Sequence, residues 1–157
     1  MENSKTTKNG KQEYPLAKAF LERVREAERK VSSLEMRIEN LRMLLTGRTV
    51  QLSDMPHSDS PDQEKMATLF ADIDELEREK AQAEAEAEAI RIEVGRMICR
   101  LSDPLAQKVL MLHYLEHLNW RAVTEKSHLC ISQVYQHRNQ GYAELEKSLT
   151  EHVDIPD

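Results

Sequence analysis

The chain has 157 residues, which is enough for one domain of ordinary size or two small ones. Charged residues make up 32% and aromatic residues only 4%, a balance that favours long solvated helices and argues against a sheet-rich fold. The formal net charge is −6, so any nucleic-acid binding would have to rest on a local basic patch. The composition therefore predicts an all-α protein. Two cysteines and the lack of a long apolar run predict that it is reduced and cytoplasmic, without a membrane segment.

The N-terminal part divides into an arm and a long amphipathic helix. Residues 1–13 carry three lysines and no apolar side chain beyond Met1, which predicts a disordered arm. Apolar residues then recur at alternating spacings of three and four, which is the heptad pattern of a coiled coil. This first seam comprises Ala17, Phe20, Val24, Ala27, Val31, Leu34, Ile38, Leu41 and Leu45.

A second seam follows a segment that breaks helices. Residues 47–62 are rich in Gly, Pro, Ser and Asp and predict a loop. The second seam has the same spacing, with Lys80 as a polar intrusion among Leu69, Ile73, Leu76, Ala83, Ala87, Ile90, Val94, Met97 and Leu101. Two matched seams with one loop predict a long antiparallel coiled-coil helical hairpin over residues 14–101. Leu21, Met36 and Leu44 lie beside the seam and suggest that two hairpins form a four-helix homodimer.

The pattern changes after Leu101, where residues 102–150 predict a small three-helix domain and 151–157 a tail. Ser102 is placed to cap a buried helix over 105–118 that has Pro104 in its first turn. Asn119 is placed to cap a short helix over 120–126. After the turn SHLC, a third helix spans 131–149. Two helices joined by a short turn, with the second longer and polar on its outer face, predict a helix-turn-helix.

The segment from LMLHYLEHLNW to AELEKSL resembles the fourth conserved region of bacterial sigma factors. The span from about Leu16 to Leu149 also resembles a family of small phage and prophage proteins of Gram-positive bacteria. Members of that family carry a helical hairpin and a sigma-like helix-turn-helix, and are often grouped with phage late-gene transcription regulators. The chain departs from the family at Cys130, His128 and Gly141, where a Ser or Thr cap, a Gly or Asn and an Ala are usual. These departures predict a less well started and more flexible final helix.

The resemblance implies a DNA-binding surface on the last two helices. In a helix-turn-helix the second helix enters the major groove. With Val134 matched to a core position, the candidates for base contact are Ile131, Ser132, Tyr135, Gln136 and Asn139. Gln and Asn can bond adenine through two hydrogen bonds. The candidates for phosphate contact are Arg121, Lys126, His128, His137 and Arg138. Residues 118–140 have a net charge of only +2, which predicts weak binding by a monomer.

The stretch HYLEH, residues 113–117, has the spacing of an inverted zinc-peptidase motif. His113 and His117 would be ligands and Glu116 the general base, but a third ligand is undefined among His128, Cys130 and Glu125. Only 40 residues follow His117, most of them in the two predicted helices, and the sigma-like resemblance accounts for the same residues. We expect a helix end here, and no catalytic residue, metal site or cofactor.

These observations favour a phage-encoded, sequence-specific DNA-binding protein that regulates transcription, with double-stranded DNA as its partner and RNA polymerase as a further candidate. The hairpin would then mediate dimerisation or partner contact. A DNA-packaging protein is one alternative, because small terminase subunits also combine a helix-turn-helix with a helical hairpin. A protein-binding adaptor without DNA contact is another. Trp120 is expected to anchor the core of the three-helix domain.

Overall fold

The structure, a computed structural model, describes residues 14–51 and 61–153, and every regular element in these ranges is helical. The predicted arm over 1–13 and most of the predicted loop lie outside them. The elements are α1 (Pro15–Gln51), α2 (Pro61–Cys99), α3 (Pro104–Leu110), a π-helical segment (Met111–Leu115), α4 (Trp120–Ser127) and α5 (Ile131–Val153). The prediction of an all-α fold with a long N-terminal helix is confirmed. No helix in the described ranges is both long and apolar enough to cross a membrane.

Several predicted boundaries differ from the observed ones. The helices extend into the predicted loop, since α1 ends at Gln51 and α2 begins at Pro61, a residue type well suited to a first helical turn. Likewise α5 continues to Val153, so the first residues of the predicted tail are helical. Solvated polar residues such as those of the tail carry no stop signal by themselves, and these ends therefore could not be located from composition.

The described residues form two compact units. One covers Arg23–Ile92, and the other combines the chain up to Glu22 with the chain from Glu93 onward. The boundary predicted between residues 101 and 102 thus falls inside the second of these, here called the C-terminal unit. Its buried apolar side chains come from both ends of the predicted hairpin as well as from α3 to α5, and include Leu21, Ile98, Val109, Leu110, Val123, Val134 and Leu145.

Within Arg23–Ile92, α1 and α2 pack along the two seams. A buried cluster joins Leu34, Ile38 and Leu45 of α1 to Ile73, Leu76 and Ala83 of α2. Ion pairs flank it, with Lys80 3.0 Å from Glu35 and Arg91 3.4 Å from Glu28. The later α1 residue Glu35 pairs with the earlier α2 residue Lys80, and the earlier Glu28 pairs with the later Arg91. The two helices are therefore antiparallel in this unit. The polar intrusion Lys80 is half-buried, and its hydrogen bond to Glu35 raises its pKa against the opposing effect of desolvation.

Polar side chains of the C-terminal unit close the helix ends. Asp103 is the N-cap of α3, and its Oδ1 accepts from the Leu105 N–H over 3.0 Å, so the predicted cap Ser102 is wrong by one residue. Ser102 instead donates to Glu144 on α5 through both its N–H and its hydroxyl. Glu146 accepts from the N–H groups of Leu16 and Ala17 at the start of α1. Glu146 therefore binds backbone donors that the start of α1 leaves unpaired, and Glu144 binds the residue before the N-cap of α3.

The segment predicted as one helix over 105–118 changes character after Leu110. Met111–Leu115 is π-helical, and the Glu116 N–H donates to the Met111 carbonyl over 3.1 Å. The chain then turns at His117, whose φ of 58° is left-handed. The helix therefore ends before residue 118. The apolar pattern did not reveal this end, because a π-turn adds one residue to a helical turn without removing apolar residues from the buried side.

Candidate nucleic-acid interface

The candidate interface is built from α4, a tight turn and α5. Asn119 is the N-cap of α4, as predicted, and its Oδ1 accepts from the Ala122 N–H over 2.8 Å. His128 ends α4 with a φ of 60°, a left-handed conformation that Gly or Asn adopts at lower cost. A histidine in this conformation therefore joins α4 to the turn that precedes α5.

Both backbone groups of Cys130, the residue before α5, form hydrogen bonds. The Cys130 carbonyl accepts the first helical hydrogen bond, from Val134, and the Cys130 N–H donates to Oε1 of Gln133 over 3.1 Å. This is the reciprocal half of a capping box, supplied by the residue at the third helical position. The Ser132 hydroxyl lies 3.1 Å from Cys130 Sγ and, with the Gln133 N–H, lowers the pKa of the thiol. The Cys130 N–H is therefore paired, and the expectation of a helix less well started than one with a Ser or Thr cap stays a prediction.

The five candidates for base contact share one property, which is exposure. Ile131, Ser132, Tyr135, Gln136 and Asn139 are all exposed, whereas Val134 in their midst is fully buried. The buried cluster beneath them consists of Val109, Leu112, Val123 and Val134, so α4 and α5 pack through one core. A face of α5 that begins at its first residue is consequently open to an outside partner.

The phosphate candidates on α4 and in the turn have different surroundings. Arg121 is highly exposed, with 90% of its side chain accessible and Glu125 at 3.8 Å. Lys126 forms a closer ion pair, with Nζ 2.6 Å from Oε2 of Glu116. His128 is exposed in the turn. The positive charge near the turn is thus partly neutralised within the protein.

His137 lies in a different place from the other candidates. Its Nδ1 is 2.5 Å from Oδ2 of Asp103, and the two side chains are only 19% and 16% exposed. Burial tends to raise the pKa of Asp103, but hydrogen bonds from His137 and from the Leu105 N–H outweigh it, and the pKa lies below its ordinary value. The imidazole is therefore engaged in joining α5 to the N-cap of α3.

Aromatic side chains collect around Arg138. Its guanidinium carbon lies 4.5 Å from the ring centroid of Tyr135, 5.2 Å from that of Trp120 and 5.7 Å from that of Tyr142. Trp120 packs against the core but is only half-buried, and His113 stacks on it with centroids 3.8 Å apart. Sequence reasoning missed this group. The spacing of Tyr135, Arg138 and Tyr142, at three and four residues on one helix, was the signal that could have found it.

Gly141 is explained by close packing. A Cβ at this position would lie 2.7 Å from Cδ1 of Leu110 and 3.5 Å from the Cβ of Ala106. Leu110 is fully buried, so the contact cannot be relieved by turning its side chain into solvent. Glycine at residue 141 therefore permits a close approach of α5 to α3, and the expected greater flexibility of the helix stays a prediction.

The HYLEH stretch has the geometry of a helix end. His113 is in the π-helical segment, and its Nδ1–H donates to the Leu118 carbonyl over 2.7 Å. His117 lies beyond the segment's end. Ligands one α-helical turn apart on a common face, which the zinc motif requires, are not what these two residues provide. Among the described residues, no group of three or more His, Cys, Asp or Glu side chains is arranged to hold a metal ion.

Comparisons with known proteins give one match. A family model described as "Protein of unknown function (DUF1492)" matches residues 63–146, which is more than half of the chain. The match begins in α2 and ends in α5, so it includes α3, α4 and the exposed face of α5. No curated protein and no solved structure matches the chain. The chain is therefore a member of the DUF1492 family of proteins of unknown function.

Proposed function

We propose that the protein binds double-stranded DNA in a sequence-specific manner and regulates transcription, with α4 and α5 as a helix-turn-helix. The observation that carries the proposal is the open face of α5, where Ser132, Gln136 and Asn139 are exposed next to a tight turn. Amide and hydroxyl groups near the start of a recognition helix are suited to base edges in the major groove. The resemblance to sigma factor region 4 and to phage regulators supports the same proposal.

Electrostatics limit the affinity of a single copy. Of the three cations within residues 118–140, Lys126 and Arg121 have carboxylates nearby and Arg138 lies among aromatic rings. Each phosphate contact steepens the slope of log affinity against log salt concentration by about one unit. A protein with only a few such contacts binds DNA weakly at physiological salt. A regulator of this kind would need a second copy or a DNA-bound partner such as RNA polymerase.

The antiparallel pair of α1 and α2 is the proposed site of dimerisation. Large apolar side chains are exposed on it, among them Met36, Met43, Leu44 and Phe70. Met36 and Met43 are seven residues apart and therefore lie on the same side of α1. Leu21, which the sequence assigned to the same outer surface, is fully buried in the C-terminal unit, so that assignment is wrong.

The test of DNA binding is selection of randomised duplexes on the full chain at about 50 mM and about 200 mM salt. We expect recovery of a shared motif, with affinity that falls steeply as salt increases. Gln136→Ala should lose preference at one base pair of the motif, by about 1 to 3 kcal/mol. The matched control is Gln82→Ala, which removes an exposed glutamine from α2 and should leave the motif unchanged. Recovery of no motif would count against the proposal.

A protein-binding adaptor is the second candidate. It is favoured by the exposure of Ile131 and Tyr135, at 46% and 39%, since two large apolar side chains one turn apart suit a protein partner as well as a thymine methyl group. An adaptor would bind DNA weakly and without sequence preference, and Gln136→Ala would not alter its binding. The selection described above separates the two candidates.

A further inference from the structure

Arg138 and Asn139 are neighbours on α5 whose side chains are joined by two hydrogen bonds. The Nε–H and an Nη2–H of Arg138 donate to Oδ1 of Asn139, over 3.1 and 3.0 Å. A guanidinium group only donates, so the amide atom that faces it must be the oxygen. The Asn139 amide is therefore oriented, with Oδ1 directed to the arginine and Nδ2 left for an outside partner.

The arginine is itself restrained. Its contacts with the rings of Tyr135, Trp120 and Tyr142 leave it half-buried, whereas Asn139 is exposed. Cation–π contacts with several rings stabilise one position of a guanidinium group that would otherwise sample many rotamers. The orientation of the Asn139 amide is consequently set by groups of the protein before any partner binds.

This orientation conflicts with adenine recognition. Asparagine recognises adenine by accepting from the N6 amino group through Oδ1 and donating to N7 through Nδ2. Here Oδ1 already accepts two N–H groups, one for each lone pair. Only the Nδ2 donor remains, and it fits base edges that present acceptors without a donor to satisfy, which are N7 and O6 of guanine and O4 of thymine. At adenine it could reach N7, but the N6 amino group would be left without an acceptor.

We infer that Arg138 is a positioning residue that sets the base preference of Asn139, directing it to guanine or thymine instead of adenine. The inference rests on the proposed DNA-binding function. It alters the expectation for both residues, because the sequence predicts that Arg138 contacts phosphate and that Asn139 can bond adenine.

The test compares motifs selected from one pool of randomised duplexes by the full chain and its variants. Asn139→Ala identifies the base position read by Asn139, as the position at which preference disappears. Arg138→Met keeps a long apolar side chain against the rings without any donor, and Arg138→Lys keeps the charge without the planar fork. At the identified position the unmodified chain should select guanine or thymine. Both Arg138 variants should shift selection toward adenine by about tenfold and leave other positions unchanged.

The other outcomes overturn the inference in distinguishable ways. A uniform loss of affinity across all positions in Arg138→Met would identify a phosphate contact, with DNA binding by the protein upheld. The inference is also overturned if the preference stays the same, or if Asn139→Ala changes no position. If the unmodified chain selects no sequence, both the inference and the proposed function fail. The variant with both Arg138→Met and Asn139→Ala should behave as Asn139→Ala alone, and circular dichroism checks that each variant is folded.

Discussion

Nδ1 of His137 lies 2.5 Å from Oδ2 of Asp103, and this hydrogen bond joins the middle of α5 to the N-cap of α3. Asp103 thus has two tasks, because its other oxygen accepts from the Leu105 N–H. Sequence reasoning assigned His137 to a phosphate and the cap to Ser102. The structure instead combines residues 34 positions apart into one connection that holds the candidate recognition helix in place.

Replacing Asp103 should reveal this connection. Asp103→Ala removes both the cap and the partner of His137, and we expect it to lower the free energy of unfolding by about 2 kcal/mol at neutral pH. Asp103→Asn keeps a good cap and should cost less. Urea unfolding followed by circular dichroism measures both. Equal losses for the two variants would mean that the charge on Asp103 accounts for nearly all of the effect and that a neutral cap at this position contributes little.

The free energy of unfolding should also depend on pH through Asp103. Its pKa is lower in the folded protein than in the unfolded chain, so the folded state binds this proton less readily. The contribution to stability is therefore present above about pH 4 and is lost as pH falls through the folded pKa. The difference in unfolding free energy between the unmodified chain and Asp103→Asn should shrink below about pH 4. A difference that stays constant down to pH values near 2 would contradict this assignment.

Gly141 and Gly95 offer a matched pair of substitutions in the C-terminal unit. Gly141→Ala places a methyl group 2.7 Å from Leu110 Cδ1, whereas at Gly95 the nearest atom would be 3.7 Å away. Alanine gains about 1 kcal/mol over glycine in a helix, and overpacking costs about 1 to 3 kcal/mol. We expect Gly95→Ala to raise the melting temperature and Gly141→Ala to leave it unchanged or lower it. A clear rise for both would show that α3 and α5 are less closely packed than the structure indicates.

Substitutions of His128 should affect the stability of the protein and its DNA binding differently. Glycine adopts left-handed backbone angles without the cost that a side chain imposes, so His128→Gly should stabilise the protein by about 0.5 to 1 kcal/mol. His128→Asn should be intermediate and His128→Val destabilising. Thermal unfolding gives the order of the three. If His128 also contacts phosphate, the glycine variant binds DNA more weakly although it is more stable, and any other order of stability contradicts the role of the turn.

The hydroxyl groups of Tyr114 and Tyr142 lie 2.6 Å apart, and both side chains are buried. Tyr142→Phe leaves the Tyr114 hydroxyl without this partner and should cost about 1 to 3 kcal/mol, whereas replacing both should cost less than the sum. Burial raises the pKa of both phenols, so their contribution to stability is present below about pH 10 and lost above it. Above about pH 10 the free energy of unfolding should therefore fall less in the double phenylalanine variant than in the unmodified chain, as measured by urea unfolding at alkaline pH.

Sedimentation tests the proposed dimer. Met36 and Met43 are 67% and 62% exposed, so changing both to glutamate should not unfold the protein. We expect the unmodified chain to sediment as a dimer and this variant as a monomer with the same helix content. Gln82→Glu adds a charge elsewhere on α2 and serves as the control. A ring-shaped assembly larger than a dimer would favour the packaging alternative over the regulator.

Periodicity was sufficient to predict the long helices. Every residue of the two predicted seams is buried or half-buried, from Ala17 to Leu45 and from Leu69 to Leu101, and Lys80 tolerates its position by pairing with Glu35. The caps and turns were harder to predict. Asn119 was identified as a cap, but Asp103 was missed because Ser102 and Asp103 are both good capping residues and only the backbone conformation decides between them.

The candidate interface was predicted in part. Exposure of the five residues on α5 followed from helical spacing around Val134, since the side of a helix opposite its core contacts is solvated. What the side chains do there did not follow. His137, Arg138 and Gly141 have contacts with Asp103, Trp120 and Leu110, which all lie outside α5.

The pattern of residues was enough to predict that this protein is helical, where its two long helices have their apolar sides, and which side of α5 is polar. These properties are local, because the spacing of side chains on a helix depends only on its period. Other properties arise from the packing of the helices: which polar side chains form contacts within the protein, the π-helical segment that ends the helix before His117, and the contact of Gly141 with α3. Such properties depend on distances between residues far apart in the chain, and these distances exist only once the helices have packed.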